Sequence, residues 1–302
     1  MDIVDAQVHL NRLGSDWQHT QHELIVDYAV VTLDALGLAA VLIDEWAGFD
    51  NPTTKRGHLP GRFLPNGAMR GEHPFSETAI KLHPNRFAYV SRIDPIDPDL
   101  EELMAGVRRK PGAICLRIVP IPEAGELDLF EQGGFEVLFA AAEKHQVPIF
   151  AWFPGRAQML IPYLEKFPAL PVILDHCGVS RTEANVAGQL GELLALSRYP
   201  NLALKWCHAP SQMSAQPYPF RDVIPHLRHA IDAFGPQRIM WASDHTQSKT
   251  HHSWAQALYY LLDSDELTDD EKEWILGRSV RTILRWPKPG KGERSDEPVA
   301  HQ

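Results

Sequence analysis

The chain has 302 residues, of which 44% are hydrophobic, and it has a formal net charge of -10. This length and hydrophobic content are enough to bury a sizeable core, which excludes a disordered chain. The negative charge argues against a nucleic-acid partner, because neutralising phosphates needs a clustered basic surface and the 29 lysines and arginines form no long run.

The cysteine content and the first residues indicate the compartment. Three cysteines, Cys115, Cys177 and Cys207, are too few for a disulfide framework, and their spacing is not that of a zinc ribbon. The sequence starts with Met1-Asp2 and continues into an apolar strand, without the charged and apolar regions of a signal peptide. No apolar run approaches the ~20 residues of a membrane span. We therefore expect a cytoplasmic protein with no membrane partner, which can form a homo-oligomer.

Short apolar runs alternate with helical patterns along the chain. The predicted strands cover residues 3–9, 39–43, 87–90, 112–117, 148–153, 171–175, 202–206 and 238–241. The predicted helices cover 24–36, 99–109, 135–145, 158–167, 183–198 and 220–234, and a last helix begins at the capping box Thr268–Glu271. This alternation is typical of an α/β fold with a single (β/α)8 TIM barrel. The alternative is a doubly wound open sheet, but no glycine-rich phosphate-binding motif follows any predicted strand.

In two further segments the hydrophobic residues show no periodic spacing. The segment from Trp46 to His73 is rich in Pro, Gly, Arg and His. A long segment of this kind inside a compact domain is usually mobile or functional, so we expect a lid over the site after strand 2. Residues 287–302 form a polar tail that we expect to be disordered, which leaves one barrel domain over residues 2–286.

Polar side chains end several of the predicted strands. In a TIM barrel the carboxyl ends of all strands meet at one mouth, where the active site lies. The side chains placed there are those of Gln7, His9, Arg117, Trp152, His176, Lys205 and Asp244. A single histidine after a strand is more often a packing residue, but two histidines and an aspartate at three strand ends favour an active site. Asp244 is fixed by the strand behind it and open to the mouth, so it is the candidate catalytic base.

Four of these strand ends resemble motifs of a known family. They are Asp5-Ala6-Gln7-Val8-His9, Leu174-Asp175-His176-Cys177-Gly178, Leu204-Lys205 and Ala242-Ser243-Asp244. In this order they look like the strand-1, strand-6, strand-7 and strand-8 motifs of the amidohydrolase superfamily. The most similar branch is the amidohydrolase-2-like group, which contains sugar-acid lactonases and the pyrone-dicarboxylate lactonase. The resemblance covers Asp2 to about Arg285 and implies a hydrolase built on a TIM barrel.

The same resemblance indicates which metal ligands are missing. In metal-dependent members of that superfamily, strand 1 carries His-x-His and strand 5 ends in a histidine, whereas this chain has Gln7 and Trp152 there. An amide is a poor zinc ligand, and an indole nitrogen only donates. We therefore expect a site without metal or other cofactor. Because three protein ligands can hold a catalytic zinc, a single divalent ion at His9, His176 and Asp244 stays open as the alternative.

Basic residues near the strand ends predict the charge of the substrate. Arg117 and Lys205 end strands 4 and 7, while Arg156 and Arg181 follow strands 5 and 6. One such arginine usually pairs with a surface carboxylate, but four at neighbouring strand ends favour an anionic small molecule, since guanidinium groups hold carboxylates bidentately. Gln7 would contact the same substrate, and Trp152 would form a platform for its ring.

The resulting hypothesis is a lactonase-like hydrolase that acts on a lactone or similar ester of a carboxylated compound. Asp244 would take a proton from water, while His9 and His176, with Lys205 or Arg117, would stabilise the oxyanion. One alternative is a metal-dependent decarboxylase or hydratase of the same superfamily. The other is a non-catalytic binding protein with a decayed site. Cys177 and Cys207-His208 also fall near the mouth, where a cysteine nucleophile is less common than a small buried cysteine.

Overall fold

The computed structural model describes residues 1–10, 22–45, 61–120, 122, 125–179, 186–248 and 251–289. Its strands are β1 Ile3–Val8, β2 Leu38–Ile43, β3 Gly61–Phe63, β4 Met69–Gly71, β5 Phe87–Ser91, β6 Ala113–Ile118, β7 Ile149–Ala151, β8 Val172–Leu174, β9 Leu202–Cys207 and β10 Ile239–Ala242. Eight of them form one parallel sheet in the order β1-β2-β5-β6-β7-β8-β9-β10. The backbone N–H of Asp244 donates to the Gln7 carbonyl at 3.0 Å, which joins the two edges. The predicted TIM barrel is therefore confirmed.

Helices surround this sheet. They are α1 His22–Leu36, α2 Pro74–Leu82, α3 Leu100–Val107, α4 Glu126–Glu131, α5 Glu136–Lys144, α6 Ile161–Lys166, α7 Val186–Ala195, α8 Ala209–Met213, α9 Ile224–Phe234, α10 His245–Ser248, α11 Trp254–Leu262, α12 Asp269–Glu273 and α13 Ser279–Ile283. The predicted capping box before α12 is present, because Thr268 accepts from the Glu271 backbone and the Glu271 side chain accepts in return. No helix in the described ranges is both long and apolar enough to cross a bilayer.

The two faces of each barrel strand pack into different layers. Large apolar side chains between the sheet and the helices form the main hydrophobic cluster. The barrel interior is filled mainly by smaller side chains such as Val4, Ala40, Ala88 and Ala203. This alternation follows from the two-residue period of a strand, and it leaves interior space for longer polar side chains near the mouth.

The C-terminal helices close the amino-terminal end of the barrel. Leu284 and Trp286 belong to the interior cluster, and Arg281 pairs with Asp2, directly before β1, at 3.2 Å. Gly277 lies so close to this end that a Cβ there would be 1.8 Å from the Asp2 carbonyl oxygen. Only glycine permits this approach, and the closed lower end leaves the carboxyl-terminal mouth as the open one.

Part of the predicted lid has regular structure. Residues 46–60 of that segment lie outside the described ranges, but β3 and β4 form an antiparallel hairpin. Residues 61–71 therefore have regular secondary structure that the absence of a hydrophobic period did not predict. The Met69 N–H donates to Asp94 at 2.9 Å, and Arg70 pairs with Asp97 at 2.6 Å, so the hairpin is held by the loop that follows β5. That position is on the mouth side, while a lid function stays a prediction.

Candidate active site

The carboxylate of Asp244 is the centre of the candidate site. Asp244 follows β10 closely and is 1% exposed. Its carboxylate oxygens lie 3.3 Å from His9 Nε2, 2.9 Å from His208 Nε2 and 3.6 Å from His176 Nε2. The structure thus brings together Asp244, His9 and His176, which the sequence placed at one mouth, and adds His208. We call these four residues the imidazole cluster.

The backbone at three of these residues has an uncommon conformation. Positive φ angles occur at His176 (52°), His208 (60°) and Asp244 (42°), each within the first two residues after a strand. A residue with a side chain is strained in this region by about 1–2 kcal/mol, and such strain is concentrated at functional sites. The same positive-φ conformation thus recurs after β8, β9 and β10. There it accompanies the contacts of His176 and His208 with the Asp244 carboxylate.

The protonation states within the imidazole cluster follow from its burial and its charges. Burial by itself would raise the pKa of Asp244, but the adjacent His9 and His208 rings hold that pKa well below the usual range. Burial also lowers the pKa of His176 well below 6.5, against the opposing charge of Asp175. The cluster at neutral pH therefore contains an ionised carboxylate beside a neutral His176 ring.

A second group of charged side chains lies next to the imidazole cluster. The guanidinium of Arg117 donates to Asp44 and, at 2.5 Å, to Asp175, while Arg92 donates to Asp44 at 2.6 Å. Lys205 Nζ lies 2.5 Å from Asp175 Oδ1 and also donates to Gln7 Oε1. We call the five charged residues the ion-pair cluster; they are Asp44, Arg92, Arg117, Asp175 and Lys205.

The ion-pair cluster accounts for two residues that the sequence assigned to substrate binding. Arg117 is 7% exposed and Lys205 only 1%. Both cations face carboxylates of the protein itself. Strand geometry explains this, because Arg117 lies two residues beyond the interior residue Cys115, and Lys205 lies between the interior residues Ala203 and Cys207. Both side chains therefore point into the barrel below the mouth.

The other predicted substrate contacts are more dispersed. Trp152 is half-buried directly after β7, where its backbone N–H donates to Ile118 at 3.1 Å. Arg156 is exposed, in a loop that is tied to the loop after β8 by the Gly155 N–H and the Gly178 carbonyl at 2.9 Å. Arg181 lies outside the described residues. Of the three described cations, Arg117 and Lys205 both contact Asp175, while Arg156 is exposed in another loop.

A buried carboxylate below the site positions two of its strand ends. Asp5 Oδ1 accepts from the backbone N–H of Gln7 at 3.1 Å and of Ser243 at 2.9 Å, and Oδ2 accepts from Trp254 Nε1 at 2.8 Å. Burial raises the pKa of Asp5 to about 6 despite these hydrogen bonds. Asp5 thus fixes the end of β1 against the segment that carries Asp244.

Metal binding depends on which donor atoms face one another. Among the described residues, one set of three ligand atoms lies within 4.8 Å, from His176, Cys207 and Asp244. These are atom types that zinc accepts, and in the metal-free site burial raises the pKa of the Cys207 thiol well above 9. The predicted alternative set includes His9, whose Nε2 faces the amide nitrogen of Gln7 at 3.3 Å. An amide nitrogen is not a metal ligand, so Gln7 in this orientation adds no donor to that set.

His208 is the main residue that the sequence left out of the predicted site. It follows β9 directly, as Asp175 and His176 follow β8. His208 could therefore have been identified as a polar residue that follows a predicted strand, which is how His176 was identified. The Cys207-His208 pair was considered only for its cysteine, although Cys207 is 0% exposed and His208 contacts Asp244.

Comparisons with known proteins agree with this architecture. The profile of the amidohydrolase family matches residues 75–285, more than two thirds of the chain. No curated protein matches the chain. An amidohydrolase from Burkholderia multivorans with bound zinc superposes with a TM-score of 0.71 at 17% identity, covering 95% of this chain and 100% of that one.

Two further solved structures are similar at comparable distances. A Pseudomonas putida protein described as a 2-pyrone-4,6-dicarboxylic acid hydrolase has a TM-score of 0.65 at 14% identity, covering 94% of this chain and 97% of that one. The 5-carboxyvanillate decarboxylase from Sphingomonas paucimobilis has a TM-score of 0.60 at 16% identity, covering 94% and 99%. At these identities the similarity establishes a shared fold.

Proposed function

The chain belongs to the amidohydrolase family, and from that premise we propose that it is a hydrolase that opens a lactone or related cyclic ester of a carboxylated small molecule. The observation that supports this proposal is the buried, ionised Asp244 within 3.6 Å of three imidazoles at the barrel mouth. Ester hydrolysis needs a base for water and a donor for the developing oxyanion, and this cluster offers both.

In the proposed reaction, Asp244 accepts a proton as water attacks the carbonyl carbon. His208 Nε2, 2.9 Å from Asp244 Oδ2, is placed to relay that proton. The neutral ring of His176 donates its N–H to the oxyanion. When the tetrahedral intermediate collapses, the ring C–O bond breaks and the relayed proton goes to the leaving alkoxide. No step of this sequence requires a metal.

For His9 we infer a different role from the one that the sequence predicted. Its Nδ1 lies 2.6 Å from the Asp44 carbonyl oxygen, which only accepts hydrogen bonds, so Nδ1 carries the proton. Nε2 lies 3.3 Å from both Asp244 Oδ1 and Gln7 Nε2, so it faces two groups of the protein instead of a substrate carbonyl. We infer that His9 positions Asp244 and Gln7, and that carbonyl polarisation belongs to His176.

The anionic substrate class rests on the loop arginines. Arg117 and Lys205 already face Asp44 and Asp175, so a substrate carboxylate would have to compete with buried ion pairs for them. Arg156 and Arg181 are therefore the proposed carboxylate contacts, with Trp152 as the ring platform. The dicarboxylic acid in the name of the Pseudomonas putida protein is consistent with this substrate class.

The direct test is a panel of aromatic and sugar-acid lactones, assayed by acid release at constant pH. We expect turnover of at least one carboxylated lactone by the parent protein and loss of that turnover in Asp244→Asn.

If no lactone is opened while a carboxylated phenol releases CO2, the activity is that of a decarboxylase. The set of His176, Cys207 and Asp244 supports that second candidate, because the related decarboxylases are expected to need a metal. A parent protein that turns over neither class would be the predicted binding protein.

A further inference from the structure

The carboxamide of Gln7 lies at the centre of contacts between the two clusters. Gln7 is 2% exposed, and its side chain touches His9, Asp244 and Lys205. We propose that this carboxamide replaces a divalent cation in the site, joining His9 to Asp244 by hydrogen bonds and keeping a metal out of the position between them.

The orientation of the amide follows from its contact with Lys205. An ammonium group only donates hydrogen bonds, so the atom facing Lys205 Nζ is the carbonyl oxygen Oε1. Lys205 is itself held by Asp175 Oδ1 at 2.5 Å. The amide nitrogen and its two hydrogens are therefore directed to the opposite side, towards the imidazole cluster.

Both hydrogens of that nitrogen find acceptors. Gln7 Nε2 lies 3.3 Å from Asp244 Oδ2 and 3.3 Å from His9 Nε2. In the tautomer that carries its proton on Nδ1, towards the Asp44 carbonyl, His9 Nε2 presents a lone pair to the amide. In that tautomer the Asp244 carboxylate and the His9 lone pair would face each other at 3.3 Å, and the two amide N–H groups of Gln7 each donate to one of them.

A metal ion would have to break this arrangement. Zinc that joined His9 Nε2 and Asp244 would sit about 2.0–2.2 Å from each atom. That space faces the amide hydrogens of Gln7. If the amide rotated to offer its oxygen to the metal, its N–H groups would face the ammonium of Lys205, and donor would meet donor. The carboxamide and Lys205 together therefore oppose metal binding at this position.

This inference deepens the metal-independent part of the proposed function, and it is tested without any substrate. The variant is Gln7→Glu, which keeps the size and the acceptor for Lys205 but exchanges the donor nitrogen for an oxygen ligand. Zinc binding is measured by equilibrium dialysis with metal analysis, and by the shift of Tm with zinc. We expect well under one equivalent on the parent protein. The Glu variant should bind about one equivalent, at least about tenfold more tightly than the parent.

Matched variants separate this site from other zinc ligands. Gln7→Leu removes the amide without adding a ligand and should gain no zinc, while the double variant Gln7→Glu/His9→Asn should lose the gained zinc. Stoichiometric zinc on the parent protein that disappears in His9→Asn would overturn the proposal. So would a folded Gln7→Glu protein with no gain in affinity.

A second measurement decides the question even if Gln7→Glu fails to fold. The side-chain NH2 signals of Gln7 in a 15N-labelled parent protein, assigned by their loss in Gln7→Leu, report the two hydrogen bonds. We expect these signals to shift in both His9→Asn and Asp244→Asn. Signals that respond to neither change would show that the amide does not join the two residues. A failed lactone assay would leave both of these results unaffected.

Discussion

The imidazole cluster and the ion-pair cluster share one barrel mouth but satisfy their charges differently. Every member of the ion-pair cluster lies against an opposite charge, as Arg117 does between Asp44 and Asp175. In the imidazole cluster a single ionised carboxylate faces three imidazole rings. Fixed ion pairs hold a structure in one geometry, whereas titratable rings around a carboxylate can transfer protons.

This difference predicts which variants will lose stability and which will lose activity. The ion-pair cluster is buried, and removal of one partner leaves an uncompensated charge, so its variants should lose stability. The imidazole cluster already has strained backbone at His176, His208 and Asp244, and its variants should lose activity while the fold persists. An ion-pair variant that loses activity at unchanged stability would show that the two clusters are a single functional unit. So would an imidazole-cluster variant that loses stability.

The largest effect is expected from Asp244→Asn. The amide keeps the volume but cannot accept a proton from water, so turnover should fall by about 10²- to 10⁴-fold. Asparagine also tolerates a positive φ angle, so the fold should persist. The measurements are kcat on a confirmed substrate and the far-ultraviolet circular dichroism spectrum. Near-normal turnover would mean that Asp244 is structural and that the base is a histidine.

The next largest effect is expected from Arg117→Met. The sequence assigned this arginine to an anionic substrate, but the structure places its guanidinium between two buried carboxylates. Loss of one partner from a buried ion pair costs about 3–5 kcal/mol of unfolding free energy. Urea unfolding measures this loss. A protein of unchanged stability with a raised KM would return Arg117 to the substrate site.

His208→Asn tests the residue that the sequence did not assign. Asparagine tolerates the positive φ angle of 60° at this position, but it cannot relay a proton. We expect kcat to fall by about 10²-fold, with KM and Tm close to those of the parent. A fall in Tm with unchanged kcat would make His208 a packing residue.

A smaller effect should appear on the acid side of the stability curve. The pKa values of Asp44, Asp175 and Asp244 are all held below 3.8 in the folded state, although burial opposes this. The stability they contribute is therefore present above the pKa of the unfolded chain and lost as pH falls. Each should contribute a loss of about 1 kcal/mol between about pH 4 and pH 3.

The matched comparison for this acid effect is Asp44→Asn. The variant lacks one of the three carboxylates, so its unfolding free energy should decline less steeply, by about 1 kcal/mol over the same interval. Urea unfolding at the two pH values measures both slopes. Equal slopes in parent and variant would mean that Asp44 does not differ in ionisation between the folded and unfolded chain.

The sequence was most informative where a local pattern determines structure. Short apolar runs such as Val172–Leu174 predicted the barrel strands, and the polar residue after each run predicted His176 and Asp244 at the mouth. By contrast, the partners of Arg117 could not be predicted. Asp44 and Asp175 are 73 and 58 residues away along the chain, and only the closed barrel brings them together.

The helix α11 illustrates a second limit of the sequence. Trp254–Leu262 was not predicted, although Ser253 and Gln256 form a capping box before it. The helix matters to the site because Trp254 donates to Asp5. A tryptophan at the start of an apolar helix looks like a core residue, and its hydrogen bond to a carboxylate 249 residues away follows only from the tertiary structure.

The smallest effect is expected from Arg156→Met, which also serves as the control for Arg117→Met. Arg156 is exposed, so water screens its charge and a contact with a substrate carboxylate is worth at most about 1 kcal/mol. That corresponds to a rise in KM of up to about fivefold, with Tm and kcat unchanged. If KM instead rises by about 100-fold, the substrate must desolvate this guanidinium by closing the mouth over it. The proposed contact of Arg156 with the substrate carboxylate would then be a buried one, and the loop after β7 would be a third functional region beside the two clusters.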